Sequence, residues 1–431
     1  MNRMAIGIII YFLIAAFVFV RVIKKDRIFS IFLLFTYIYS IVPLINLIYY
    51  PELVRRQNYS PTRETTPYLY LVYITITLVF LYIAHSIVIG KYYSHIMERK
   101  GEKVRIGKIS LSGGTWNMQQ FGFMCVIAYI LFLAIYLFTN FGMLSYRNQG
   151  SFMFQFLASL FGIIAYVLFF NERGHAASRI LKIFAVVIVA LSLLYAFWAG
   201  ERGAVLIYFI GLGYVFLEKN FKKIREIKPG TIMALLLMFF ALIYVSQIVR
   251  VSRGFAGRII LNPKIIIEFF RPKAFLFQDY AVPGYELMYC IDHNVVRPDW
   301  VFGSFIGNGI FIFDYPSLGL QIPLPGFANF NYIEGYMLAG WIGAVIYPFI
   351  LCLWFRFYYM VFMNSGSRNY KLFMGFMMAS FFTIHLVRGG ETFMFLKFIY
   401  MYFIPGSILY QMINGRGQTR MPFVEREESC H

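Results

Sequence analysis

Residues 191–217 read LSLLYAFWAGERGAVLIYFIGLGYVFL, two apolar runs separated by Gly200, Glu201, Arg202 and Gly203. A carboxylate and a guanidinium between two glycines cut one oily stretch into two helices joined by a tight turn. If such runs recur, the chain is built for a bilayer and the charges of GERG stand at its surface. If they do not, GERG is an ordinary turn over a soluble core.

They recur. Of 431 residues, 60% are hydrophobic, 20% aromatic and 14% charged, against about 25% charged in a soluble domain. Apolar runs of about 20 residues, the length that crosses a bilayer as a helix, follow one another along the chain. The 49 Phe and 33 Tyr suit a large lipid-facing surface with aromatic belts. The first run leads into Arg21, Lys24 and Lys25 instead of a small-residue cleavage site, so it reads as a retained helix. The net charge of +19 lies mainly in short loops between apolar runs, which argues against a nucleic-acid partner. Cys125 and Cys352 sit in apolar runs, Cys290 is alone in a loop and Cys430 is in the tail, so neither a disulfide framework nor a metal site is indicated.

Hydropathy and length predict about eleven spanning helices, at 4–20, 28–50, 68–89, 118–138, 152–170, 180–199, 203–217, 231–248, 333–355, 370–387 and 393–412. The expected class is an all-α polytopic membrane protein, one transmembrane domain over 1–431, with a large outer loop at 249–332 and a tail at 413–431. Lysines set the orientation. Alternate loops carry Lys24 and Lys25; Lys91, Lys100, Lys103 and Lys108; Lys182; Lys219, Lys222, Lys223 and Lys228; and Lys371. The positive-inside rule places those loops and the C-terminus in the cytoplasm and the N-terminus outside. The stretch WVFGSFIGNGIFIF (300–313) is short and Gly-rich, and reads as an interfacial or re-entrant piece capping a cavity.

The outer face is poor in lysine but not in arginine. Arg202 lies in GERG, Arg388 in HLVRGGE, and Arg250, Arg253 and Arg258 in RVSRGFAGR. If that last stretch is helical, its three arginines fall within an arc of roughly 140°. Guanidinium binds phosphate through a fixed fork of donors and keeps its charge, which suits a pyrophosphate. One such arginine alone equally well snorkels to headgroups or pairs with a carboxylate; the set points to an anion site. Gly200, Gly203, Gly389 and Gly390 flank Arg202 and Arg388 and let backbone N–H groups approach an anion, although helix turns use glycine in the same way. The carboxylates Glu268, Asp279, Glu286, Asp292, Asp299 and Asp314 share the long loop with His293, and Glu201, Glu334 and Glu391 lie on the same face. One of them within hydrogen-bond reach of an attacking hydroxyl would serve as base; most are expected to be salt bridges or solvated groups. Tyr280, Tyr285 and Trp300 are candidates for stacking on sugar faces, and packing explains them as well.

No Asp-x-Asp pair, HExxH or Cys/His cluster is present, which gives metal assistance little support. There is no P-loop, and no soluble domain large enough for a nucleotide sugar. An enzyme facing outward has no ATP, so its donor must arrive activated, as in a lipid-linked diphosphate sugar. Arginines can then stabilise the departing pyrophosphate in place of a metal. No cofactor is expected.

These features resemble the O-antigen polymerase (Wzy-type oligosaccharide repeat unit polymerase) family. The residues that carry the resemblance are AGERGAVL, RVSRGFAGR, VFGSFIGNG through YPSLGLQIPLPG, NYIEGYMLAGWIGA and HLVRGGETF, together most of the chain after about residue 190. It is a likeness of layout. It implies a GT-C-like, metal-independent glycosyltransferase of the bacterial inner membrane. Such an enzyme moves a growing glycan from undecaprenyl pyrophosphate onto another lipid-linked repeat unit, for O-antigen and lipopolysaccharide, with a protein that regulates chain length as a further partner. By position in these turns the family's arginines fall on Arg202, the Arg250, Arg253 and Arg258 group, and Arg388. Asp279, Glu286, His293 and Glu334 stay open as candidate bases, Glu201 as the residue that orients Arg202, and Glu391 as a substrate-binding residue.

Two rivals stand beside this expectation. An O-antigen ligase also has a large arginine-bearing outer loop and usually depends on a histidine there, for which His293 is available. A transporter or flippase would show inverted repeats and polar groups near the bilayer midplane. Here His85, His385 and Lys397 lie near the ends of predicted spans.

Overall fold

The computed structural model describes residues 2–49, 61–99, 118–139, 161–172, 176–199, 202–220, 278–304, 306, 331–383, 386 and 394–415. Helices dominate these residues and no strand occurs among them. In chain order they are α1 (Asn2–Ile23), α2 (Arg27–Tyr49), α3 (Thr66–Ala84), α4 (Tyr92–Glu98), α5 (Met118–Thr139), α6 (Ala176–Ala199) and α7 (Arg202–Asn220). There follow α8 (Gln278–His293), α9 (Pro298–Ser304), α10 (Asn331–Ala339), α11 (Gly343–Tyr358), α12 (Arg368–Met377), α13 (Met394–Phe398) and α14 (Ile404–Gly415). Residues 161–169 are helical as well. Among the described residues four stretches, Met4–Ile23, Arg27–Ile48, Thr66–Ile89 and Asn331–Met363, are long and apolar enough to cross a membrane. This is the composition of an all-α membrane protein. The expected span at 231–248 and the first part of that at 152–170 lie outside the described residues.

α1 shows what kind of solvent surrounds the bundle. Ile9, Leu13, Phe17 and Val20 are exposed along one face, while Tyr11, Ala15, Val18 and Val22 are buried along the other. An apolar stripe of that length facing outward is costly in water and costs nothing against lipid.

The ninth expected span, 333–355, is not one straight helix. The Tyr347 hydroxyl donates to Glu334 Oε2 at 3.0 Å across 13 residues, a separation of about 20 Å along a continuous helix. The chain therefore folds back. A 3-10 turn at Gly340–Ile342, with Gly340 at φ +57, joins α10 to α11 as a helical hairpin. Gly340 supplies the left-handed conformation that a residue with a Cβ adopts only at a cost. α11 and the π turn behind it (Gly343–Met363) form the long arm, which packs along α3 in the same direction. The Tyr73 ring meets Trp341 at one end, and Arg356 Nη1 donates to the Val88 carbonyl at the other.

The stretch expected to be the outer loop also contains helix. α8 packs against α2, α3 and α10, although Pro283 lies within it. Gly284 makes that docking possible, since a Cβ there would stand 2.1 Å from Pro43 Cγ and 2.9 Å from the Tyr70 hydroxyl. α8 ends in a Schellman-type cap, with Asn294 at φ 50, its N–H on the Ile291 carbonyl and the Val295 N–H on the Cys290 carbonyl.

Loops that the lysine alternation assigns to one side meet at one end of the bundle. There Arg27 pairs with Glu218 at 3.0 Å. Lys371, fully buried, donates to the Ile96 and Arg99 carbonyls at 2.7 and 2.9 Å and so closes the end of α4. Ser367 and Tyr410 both donate to Glu172. The opposite end carries Thr62, Thr66, Asp292, Asn294 and Arg297.

Candidate functional site

α8 brings the carboxylates of the long stretch to the second end of the bundle, and it gives them different environments. Asp292 is buried and fully engaged. Its Oδ2 accepts the Thr62 N–H at 2.7 Å and the Thr62 hydroxyl at 2.6 Å, and its Oδ1 accepts the Thr66 hydroxyl at 2.7 Å. Burial alone would raise this carboxyl; the bonds from Thr62 and Thr66 outweigh it and hold Asp292 below the usual carboxylate range. Its lone pairs are occupied by the entrance to α3, which makes it a pin.

Glu286 lies six residues earlier on the same helix and is the opposite case. Its side chain is fully buried, and neither carboxylate oxygen has a hydrogen-bond partner among the described residues. Burial pushes this carboxyl well above the usual range. A carboxylate in such a place either takes a proton or meets a group that donates to it, because an ionised, unpaired oxygen pair is expensive there. α10, which packs on α8, contributes a second open group. Asn331 is fully buried, and among the described residues both its amide nitrogen and its amide oxygen lack partners. Nothing in NYIEG marks Asn331 in advance; a first-turn asparagine looks like a helix start.

Tyrosines form the surroundings. Tyr70, Tyr73, Tyr285, Tyr332 and Tyr336 are all buried where α2, α3, α8 and α10 meet. Tyr73 donates to the Tyr332 carbonyl at 3.4 Å, and its ring meets that of Tyr336 edge-on at 5.3 Å. Tyr336 donates to Asn294 Oδ1 at 3.4 Å. Phenols suit this environment, since each puts one polar atom on a large apolar ring.

The remaining candidates separate by geometry. His293 is exposed at the end of α8, its ring stacked on Tyr289 at 4.1 Å and its Nδ1 3.1 Å from the Tyr289 carbonyl oxygen. Glu334 is buried inside the α10–α11 hairpin, where Tyr347 donates to it, and holds the hairpin together. Tyr285 is buried beside Glu286 on α8. One face of Trp300 is covered by the Arg297 guanidinium, whose carbon lies 3.9 Å from the ring centroid. Arg297 also forks onto Asp299, with contacts of 2.7 and 3.0 Å, and those bonds lower the Asp299 carboxyl. Arg202 opens α7 and Asp279 and Tyr280 lie in the first turn of α8; their side chains are outside the described residues. Glu201, Arg250, Arg253, Arg258, Arg388 and Glu391 lie outside the described residues altogether.

Against known proteins the chain stands apart. No protein-family model, curated protein or solved structure matches it. Among the described residues the arrangement offers the unpartnered carboxylate of Glu286 and the unpartnered amide of Asn331 among buried phenols, beside a carboxylate committed to structure.

Proposed function

We propose that the chain is a membrane glycosyltransferase of the O-antigen polymerase type. It joins oligosaccharide repeat units carried on undecaprenyl pyrophosphate at the outer face of a bacterial inner membrane, with its N-terminus outside and its C-terminus in the cytoplasm. The observation that carries this reading is Glu286, a buried carboxylate with both oxygens unpartnered. A general base needs that state, since its oxygens must be open to an incoming hydroxyl and its proton affinity raised by desolvation.

In the proposed step, Glu286 takes the proton of an acceptor sugar hydroxyl as that oxygen bonds to the anomeric carbon of the donor glycan. The bond from that carbon to the pyrophosphate oxygen breaks, and the lipid pyrophosphate leaves with the electron pair. Arg202 and Arg388 hold the departing pyrophosphate, with Glu201 and Glu391 orienting them. Arg250, Arg253 and Arg258 hold the second lipid diphosphate. Fixed guanidinium donors stabilise the growing charge without metal.

The test is the surface polysaccharide ladder of a strain carrying E286Q, R202A or R388A at wild-type membrane levels. Long polymer is expected to disappear in each, leaving single repeat units. Normal ladders from all three variants would sink the reading. The exposed His293 favours one alternative, a ligase that moves finished polymer onto a lipid core. Deleting the protein separates the two: single repeats remain on the core if it is a polymerase, and none if it is a ligase.

A further inference from the structure

The end of the bundle opposite Asp292 holds a buried ionisable cluster that glycan transfer does not use. Asp26 is fully buried and caps α2, its Oδ1 accepting the Phe29 N–H at 2.9 Å. The Tyr359 hydroxyl lies 2.9 Å from both of its oxygens. His85, itself 1% exposed, puts Nε2 3.6 Å from Oδ2, and that nitrogen has no hydrogen-bond partner among the described residues. His85 and Tyr359 are the first residues of two separate π turns, His85–Ile89 behind α3 and Tyr359–Met363 behind α11. A π turn shifts the side-chain register of its helix and recurs at functional sites. Here two of them converge on one carboxylate.

The other groups facing Asp26 are accounted for. On α2, Arg27 Nη1 contacts both oxygens of Glu218, from α7, at 3.0 Å. Tyr93, from α4, donates to Glu218 at 3.2 Å and shares a 2.8 Å bond with Tyr214 of α7. Cys352 of α11 is a neutral neighbour. Phe29 lies over the imidazole, ring centroids 4.7 Å apart, and Phe355 packs behind it at 4.9 Å. Among the described residues His85 is the one cation-forming group within 4 Å of Asp26. Capping explains Asp26 alone, but an asparagine would cap as well, and capping gives no reason for an imidazole at the carboxylate.

We propose that Asp26 and His85 form a proton-binding latch at this end of the bundle. When His85 takes a proton, Nε2–H closes the gap to Asp26 as an ion pair and ties the end of α3 to the start of α2. When His85 is neutral, Asp26 keeps Tyr359 and the Phe29 N–H, and α3 loses its tie. The latch reads the pH of the compartment at this end and does not depend on the glycan reaction.

Thermal melts of the full chain in nanodiscs of phosphatidylethanolamine and phosphatidylglycerol test it. Between about pH 8 and pH 6 the wild-type Tm is expected to rise by about 2 °C or more. H85Q and D26N should each abolish that rise, and the double variant should lose no more than either. D26N retains the cap, so its loss of the rise is not a loss of the helix start. H95Q, which alters an exposed histidine on α4, should keep the rise. A flat or falling wild-type profile, or a rise that survives in H85Q, overturns the latch. A second readout needs no variant. Amide hydrogen exchange at 85–90, corrected for intrinsic rate, must slow on acidification in the wild type, and unchanged exchange overturns the proposal as well.

Discussion

Gly343 and Gly335 meet backbone to backbone, so closely that a Cβ on Gly343 would stand 1.8 Å from the Gly335 carbonyl oxygen. Neither partner is a flexible side chain that can swing aside. Gly343→Ala must therefore separate α10 from α11 and stretch the Tyr347–Glu334 bond. The expected cost is about 1–3 kcal/mol or more, read as a lowered Tm of the purified protein. Gly213→Ala is the control. A Cβ at 213 meets nothing within 4 Å, and alanine is the better helix former by up to about 1 kcal/mol, so Tm should hold or rise. Equal losses at 213 and 343 would mean that the hairpin contact is not what limits stability.

Asp292 gives a pH-dependent contribution of definite sign. Its hydrogen bonds to Thr62 and Thr66 hold the folded carboxyl below its value in the unfolded chain. Its contribution is therefore complete above the unfolded value, about 3.9, and is lost as pH falls through the folded one. D292N and the double variant T62A/T66A should each lower Tm at neutral pH, by the equivalent of about 1–3 kcal/mol. The gap to wild type should narrow as the medium is acidified below about pH 4. A gap that is constant with pH would mean that shape, and not charge, is what Asp292 provides.

How much of this was readable in the sequence depends on what each signal measures. The first three spans follow from apolar runs ended by charge or proline, and α1, α2 and α3 stand within a few residues of those limits. The hairpin was not readable, because NYIEGYMLAGWIGA is apolar and glycine-spaced throughout, and hydropathy has no sign for a reversal of direction. α8 was hidden for a related reason. Pro283 and Gly284 look like breakers, and only the approach of Pro43 and Tyr70 shows what Gly284 is for. Glu286, Asp292 and Glu334 were legible as a set of acids on one face. Their division into open base, pin and hairpin tie depends on Thr62, Thr66 and Tyr347, which are remote in sequence. Asp26 and His85 are 59 positions apart by number, and the π turns that begin at His85 and Tyr359 are announced by no local pattern. Arg388 of VRGGE and the Arg202 side chain of GERG lie outside the described residues.

Glu286 joins stability to chemistry, and the two should move in opposite directions. Burial raises its carboxyl above the unfolded value, so the folded state favours the proton. Stability is thus greatest below the ordinary carboxylate range, about 4.3, and is lost as pH rises from there toward the folded value. Glutamine copies the neutral form without the charge. E286Q should therefore melt with the wild type near pH 4 and above it near pH 8. If Glu286 is the base, the same substitution should lower the rate of polymerisation of purified lipid-linked repeats by about 10²–10⁴-fold. Each half of that prediction fails separately. A Tm gain with a normal rate would leave Glu286 a buried acid without a catalytic role and return the base to Asp279 or His293. A lost rate without any pH-dependent gain would mean that Glu286 is already neutralised by a donor in the working enzyme, and that glutamine removes a contact instead of a proton acceptor.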